Sequence, residues 1–225
     1  MSESSRLVEA NRLLQAAYGQ PALSSNEAGW SRLLNVLLGV AADHPLRPNL
    51  DEVLRSPPLA TPGESSAATT GQLVEILAPF PRGSQKASLI RAIAAWWIST
   101  FGNEISPEWT VGLQTYRDAL RSIRGLGPAT VDELLLFAAD LPVFPVDRAA
   151  LRVAVRHGWL DLPVEDEEAQ SLFVSGLNRS SPALQEFSRV ISLVAERHCG
   201  REPLCDGCPL QSMLPEGGPR NPQSC

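Results

Sequence analysis

Apolar residues recur at every third or fourth position through most of this chain, and no stretch of convincing length alternates with period two. That pattern constrains the fold most, because it predicts helices and excludes a sheet. Residues 6–18 (RLVEANRLLQAAY) read as a first helix. Residues 30–42 (WSRLLNVLLGVAA) are apolar almost all round, which predicts a buried helix. A short helix fits Leu50–Leu54, and SPPLATPGESSAATT (56–70) predicts a loop. Further helices are expected at 71–78, 84–101, 108–123, 128–139, 147–157, 166–177 and 181–198. After Cys199 the chain is rich in Gly and Pro and has no periodicity. The expected fold class is all-α, with a loop-rich tail stapled by metal.

Length and charge narrow the function. A chain of 225 residues allows one or two domains and a sizeable core. No run of about 18 apolar residues is present, so no membrane span or membrane partner is expected. The start, MSESSRLVEANRLL, lacks a basic region followed by an apolar one, so no secretory signal is expected and the cytoplasm is the expected compartment. The net charge of −6 speaks weakly against nucleic acid. Of 19 Lys and Arg residues, however, only Lys86 is lysine. The rest are arginines, which suit bidentate phosphate contacts.

Three local patterns carry chemistry. The first is ALRSIRGLGPATVDELLLF (119–137), two helical stretches around Gly125-Leu126-Gly127-Pro128. The glycines permit a tight turn, Pro128 suits a first helical position, and Leu126 is expected to point inward. Such a helix start exposes main-chain N–H groups to a phosphate. The pattern is either a helix-hairpin-helix that grips DNA or an ordinary helical turn. Asp132 and Glu133, close behind, favour a helix start through the dipole but would repel phosphate. The second pattern is LPVFPVD followed by the helix RAALRVAVRH, which makes Asp147 an N-cap. A capping carboxylate is fixed and ionised, so it could also stabilise an oxocarbenium-like transition state and orient water. The third is the tail. Cys199, Cys205, Cys208 and Cys225 are the only cysteines and lie in the last 27 residues. Four thiolates fit a [4Fe–4S] cluster or a tetrahedral zinc, and spacing alone does not choose between them. Should Cys225 not serve, His198 or an outside ligand is needed.

In this order, the three patterns resemble the endonuclease III group of helix-hairpin-helix DNA glycosylases, from about Trp30 to Cys225. The resemblance implies a six-helix barrel domain with the hairpin at 22–141, and a [4Fe–4S] cluster domain made of 1–21 and 142–225. It implies double-stranded DNA bound across the cleft between them, with a damaged base flipped out and its glycosidic bond hydrolysed. It implies a monomer and, as substrate, an oxidised pyrimidine. FPVDRAALRV matches the stretch that carries the family's catalytic aspartate, here Asp147. Gly125, Leu126, Gly127, Arg124, Arg82 and Arg148 are expected to meet DNA, with Arg121 and Arg152 as further candidates.

The departures sharpen the expectation. Bifunctional members carry a lysine just after the hairpin, where this chain has Ala129. Alanine cannot form a Schiff base, so a monofunctional glycosylase with little or no strand cleavage is expected. A non-catalytic or very weak relative that binds lesions and keeps the cluster is the alternative. Ala41 stands where the family has a gap-filling glutamine, which leaves Phe80 or Arg82 as substitutes. Lys86 matches a family lysine that points toward the backbone, or else is a solvated surface lysine. The cysteine spacers are five, two and sixteen residues, against six, two and five in the family.

Overall fold

The computed structural model describes residues 3–19, 29–39, 45 and 47–220. It is all-helical among these residues, with no strand beyond a single bridge between Cys199 and Pro203. No described helix is long and apolar enough to cross a membrane. The chain forms two compact units, one of residues 24–139 and one of residues 1–23 with 140–225.

The first unit holds α2 (Gly29–Leu38), α3 (Arg47–Leu54), α4 (Pro62–Ala67), α5 (Thr70–Leu77), α6 (Gly83–Phe101), α7 (Leu113–Arg121) and α8 (Pro128–Ala138). Helix α6 packs on α4 and α5, and α2 packs on α8, which pairs with α7. Trp30 of α2 meets Trp97 of α6 edge to face, with ring centroids 5.3 Å apart. Both indoles are satisfied while buried: Trp30 donates to the Leu59 carbonyl at 3.0 Å and Trp97 to that of Glu104 at 2.7 Å.

The second unit holds α1 (Glu3–Tyr18), α9 (Arg148–Arg156), α10 (Asp166–Gly176) and α11 (Ser181–Arg197). Helix α11 packs against α9 and α1, and α1 against α10. Its core centres on Phe144, Phe173 and Phe187; the first two stack with centroids 4.2 Å apart.

Two expectations about elements are corrected. Residues 62–67, expected within a loop, form α4, because Thr61 and Glu64 close a capping box around the Pro62 start. The expected helix 108–123 begins only at Leu113, where Gly112 is the N-cap. Just before it, the Val111 N–H donates to the Tyr116 hydroxyl at 3.2 Å instead of to a helix carbonyl.

Candidate functional site

Asp147 takes its position from the buried segment before it. Val143, Phe144 and Pro145 are buried. The Gln170 side chain bonds the Phe144 main chain at both its N–H and its carbonyl. The chain then emerges, and Asp147 is exposed at the N-cap of α9 with extended backbone. Its Oδ1 accepts from the Ala150 N–H at 2.7 Å. The carboxylate is therefore fixed by one oxygen at the positive end of a helix while the group stays open to solvent. Arg148 beside it is exposed as well.

The hairpin is α7, a turn and α8. Gly125 has φ of +102°, a conformation that a β-carbon disfavours. Leu126 points inward and is 8% exposed, while Gly125, Gly127 and Pro128 stay on the surface. Gly127 caps α8 with no side-chain bond, and Pro128 fills the first turn. A main-chain N–H surface of this kind suits a phosphate. The feared repulsion from Asp132 is removed: it is 3% exposed and paired with Arg117 Nε at 2.8 Å. Arg121 and Arg124 are exposed at the turn.

Other predicted positions separate. Arg82 is exposed and left-handed, with φ of 56°, at the start of α6. Phe80 is 4% exposed in the core, so it is not available to fill a DNA gap. Ala41 lies outside the described residues. Lys86 is not a free surface lysine: its Nζ donates to the Leu38 carbonyl at the end of α2, at 2.9 Å. Burial holds its pKa below the ordinary lysine value, Arg82 adds to that, and Glu133 opposes it. Arg152 turns to the cysteine loop, donating from Nε to the Cys199 carbonyl at 2.6 Å.

Cys199, Cys205 and Cys208 border one small pocket. Gly207, at φ of +75°, turns Cys205 and Cys208 back on one another, with the Cys208 N–H on the Cys205 carbonyl at 3.0 Å. Buried Arg156 donates to Cys199 Sγ at 3.3 Å and to the carbonyls of Gly200 and Arg201 at 2.7 and 2.8 Å. Burial pushes the Cys208 thiol up; the Leu210 N–H opposes this, and the neighbouring Cys199 and Cys205 add to it. Two buried polar atoms of this unit, Tyr18 Oη and His157 Nε2, have no hydrogen-bond partner, and of the two residues only His157 borders the pocket. The first belongs to a residue near enough to Cys208 to feel its charge. Among the described residues no group of three or more His, Cys, Asp or Glu side chains is gathered for a metal ion. Cys225 lies outside the described residues. Three thiols on one pocket, with N–H donors aimed at two of the sulfurs, nonetheless fit a thiolate-held group.

The sequence reading missed Tyr18, Arg156 and His157. The signal for the latter two was present in RVAVRHG: an arginine at the i+4 position from Arg152, on a short helix, with a histidine directly after it.

No protein-family profile matches the chain. Sequence relatives include a Methanocaldococcus jannaschii protein assigned to the DNA repair glycosylases, 26% identical over 63% of this chain and 65% of its own length. An endonuclease III of Sulfolobus acidocaldarius is 25% identical over 67% of this chain and 65% of its own. A thymine/uracil-DNA glycosylase of Pyrobaculum aerophilum is 26% identical over 72% of this chain and 69% of its own. The match thus spans just under two thirds of the first two relatives. Among solved structures, an endonuclease III trapped in a covalent intermediate with DNA superposes with a TM-score of 0.67, at 19% identity, covering 96% of this chain and 98% of the other. A thermostable thymine-DNA glycosylase gives a TM-score of 0.69 at 13% identity, covering 93% and 95%. At such identities the structural likeness speaks for the fold. With the sequence relatives added, the chain is similar in sequence and fold to the endonuclease III-like helix-hairpin-helix DNA glycosylases.

Proposed function

We propose that this chain is a monofunctional DNA glycosylase of base excision repair, acting on a damaged pyrimidine base in double-stranded DNA. The observation that carries the reading is Asp147, an exposed carboxylate held by one oxygen at a helix start, in the sequence setting of the family's catalytic aspartate. With Oδ1 engaged by Ala150, Oδ2 faces the sugar of an extruded nucleotide. Its charge stabilises the positive sugar as the base departs, and it orients the water that adds to the anomeric carbon. The open start of α8 holds a phosphate without reading sequence. Arg124, Arg82 and Arg148 supply local positive charge on an acidic chain.

Hydrolysis without a covalent intermediate follows from the amines. Ala129 has none, and Lys86 commits its Nζ to the Leu38 carbonyl. An oxidised pyrimidine is the substrate that the endonuclease III resemblance suggests. Uracil and mismatched thymine belong in the same test, since one relative and one structural neighbour are named for thymine or uracil. Cys199, Cys205 and Cys208 are the residues that would hold an iron–sulfur cluster, with Cys225 expected from the sequence as the fourth. When bound, that group would hold the loop after α11 together, while Arg152 and Arg156 tie Cys199 to α9. The protein acts as a monomer in the cytoplasm in this reading.

The test is a panel of duplex oligonucleotides, each with one lesion, analysed with and without alkali. Base release revealed only after alkali, with no adduct trapped by borohydride, is the expected result. Strand cleavage without alkali, or a trapped adduct, overturns the monofunctional reading. Tight lesion binding with no release from any member of the panel supports the non-catalytic alternative instead.

A further inference from the structure

We propose that Arg117 and Asp132 are positioning residues of the hairpin: their buried ion pair sets the roll of α8 against α7 and so aims the main-chain N–H groups of the turn at a DNA phosphate. The inference rests on the reading of this hairpin as a phosphate grip and is independent of the chemistry at Asp147.

The phosphate-facing surface is made of main chain, which apolar packing does not aim. Gly127 caps α8 without a side-chain bond, so the first-turn N–H groups of α8 are left for a ligand. Beneath the turn the contacts are apolar: Tyr116 and Leu120 of α7, Leu126 of the turn, and Val131 and Leu134 of α8 are buried. Such burial is non-directional, so by itself it lets one helix slide or roll on the other. The turn adds two short main-chain bonds, from the Ile123 N–H to the Leu120 carbonyl at 3.0 Å and from the Leu126 N–H to the Ile123 carbonyl at 3.1 Å. Both lie before Gly127, so they shape the exit from α7 and do not orient α8.

The ion pair supplies the direction. Arg117 Nε donates to Asp132 Oδ1 at 2.8 Å, with the two side chains 15% and 4% exposed. Arg117 lies four residues before Arg121, the last of α7, and Asp132 four residues after Pro128, the first of α8. Each partner therefore stands one helical turn, about 5.4 Å, from the end that carries the turn. A link at that place fixes both the spacing and the roll of the two ends. Gln114 braces the arginine from one turn earlier: its Oε1 lies 3.5 Å from Arg117 Nη1, and its own Nε2 donates to Asp118 Oδ1 at 2.7 Å. A buried pair of this kind adds little to stability, because desolvation offsets most of the attraction. An apolar pair of similar size would hold the helices together as well, but it would not impose one orientation. The pairing also offsets the Asp132 charge behind the phosphate, a separate effect that a variant with neither charge removes from the comparison.

The experiment uses the full chain. The double variant Arg117→Met with Asp132→Leu removes both charges and keeps the bulk. Thermal unfolding, binding to an undamaged duplex across a salt series, and kcat and KM for base release are compared with wild type. The double variant melts close to wild type. Its duplex Kd rises about tenfold and its log–log salt slope falls by about 1, as one phosphate contact is lost. KM rises by a similar factor while kcat stays within about twofold, since Asp147 and its cap belong to the other unit. A pair that only stabilised the fold would lower the melting temperature and leave KM and the slope alone. Duplex affinity and slope equal to wild type in the folded double variant overturn the proposal, and so does a loss of kcat with KM unchanged. Should that variant not fold, Arg117→Met with Asp132→Asn, which keeps the size of the aspartate, is read in the same way. If wild type releases no base, affinity and slope decide. Duplex binding by wild type that is insensitive to salt overturns the phosphate grip itself, a result distinct from any difference between wild type and variant.

Discussion

Asp147→Asn separates the two tasks of one carboxylate. As an N-cap, Asp147 accepts the Ala150 N–H at 2.7 Å, and an asparagine oxygen accepts the same bond. Asn and Asp rank together at this position, so the variant loses only charge–dipole energy, about 0.3–1 kcal/mol. Asp147→Ala loses the cap bond too, which brings its cost to about 1–2 kcal/mol. In a chain of this size each kcal/mol moves the melting temperature by about 2–4 °C. Catalysis ranks the variants differently. A carboxylate about 4 Å from a positive sugar, at an effective dielectric near 20, is worth about 4 kcal/mol. Losing it slows base release on the order of a thousandfold. Both variants therefore lose release equally, while only Ala melts clearly lower. Single-turnover base release and thermal unfolding measure the two effects. Release by Asp147→Asn at the wild-type rate, with Asp147→Ala destabilised, reduces Asp147 to a helix cap and refutes the mechanism.

Three further outcomes are expected. Gly83→Ala places its new carbon 1.9 Å from the Leu77 carbonyl oxygen, so main chain must move and urea unfolding records a loss of more than about 3 kcal/mol; a loss under about 1 kcal/mol contradicts the described start of α6. Lys86 has its pKa lowered by burial, so above that lowered value the unfolded chain binds a proton that the folded one does not. Stability relative to Lys86→Met therefore rises with pH toward the ordinary lysine value of 10.5, and a flat difference between the two proteins refutes the burial argument. DNA affinity falls steeply with salt, and Arg124→Ala or Arg148→Ala each lowers the log–log slope by about 1; binding insensitive to salt removes the phosphate grip.

The helical fold was legible because its apolar spacing is regular, and the tail because it lacks any. α4 escaped because Pro, Ser and Thr dominate its composition, yet its start was written in Thr61-Pro62-Gly63-Glu64, where a capping box outweighs weak propensity. The start of α7 was placed too early, since apolar spacing continues through Trp109 while the backbone waits for Gly112. The division into two units, with the chain's beginning joined to its end, was not in composition or periodicity. It came from the family resemblance alone, as long-range contacts leave no local trace in one sequence.

The site divides by the same logic. Asp147 and the hairpin are local devices, each built within a few residues by capping and turn chemistry, so their residues named themselves. The surroundings of Phe80, Asp132 and Arg152 were not legible because they depend on partners distant in sequence: a core, the Arg117 guanidinium, and a loop 47 residues away. Arg152, Arg156 and His157 on one helix all serve the cysteine pocket, while Asp147 caps that helix's other end. α9 therefore carries the candidate catalytic carboxylate and the grip on the tail loop on one rod of nine residues, about 13 Å long. A rod tied down at its C-terminal end fixes the direction of its first turn. That tie gives a physical reason for the tail of this chain to be stapled, whatever ligand completes the staple.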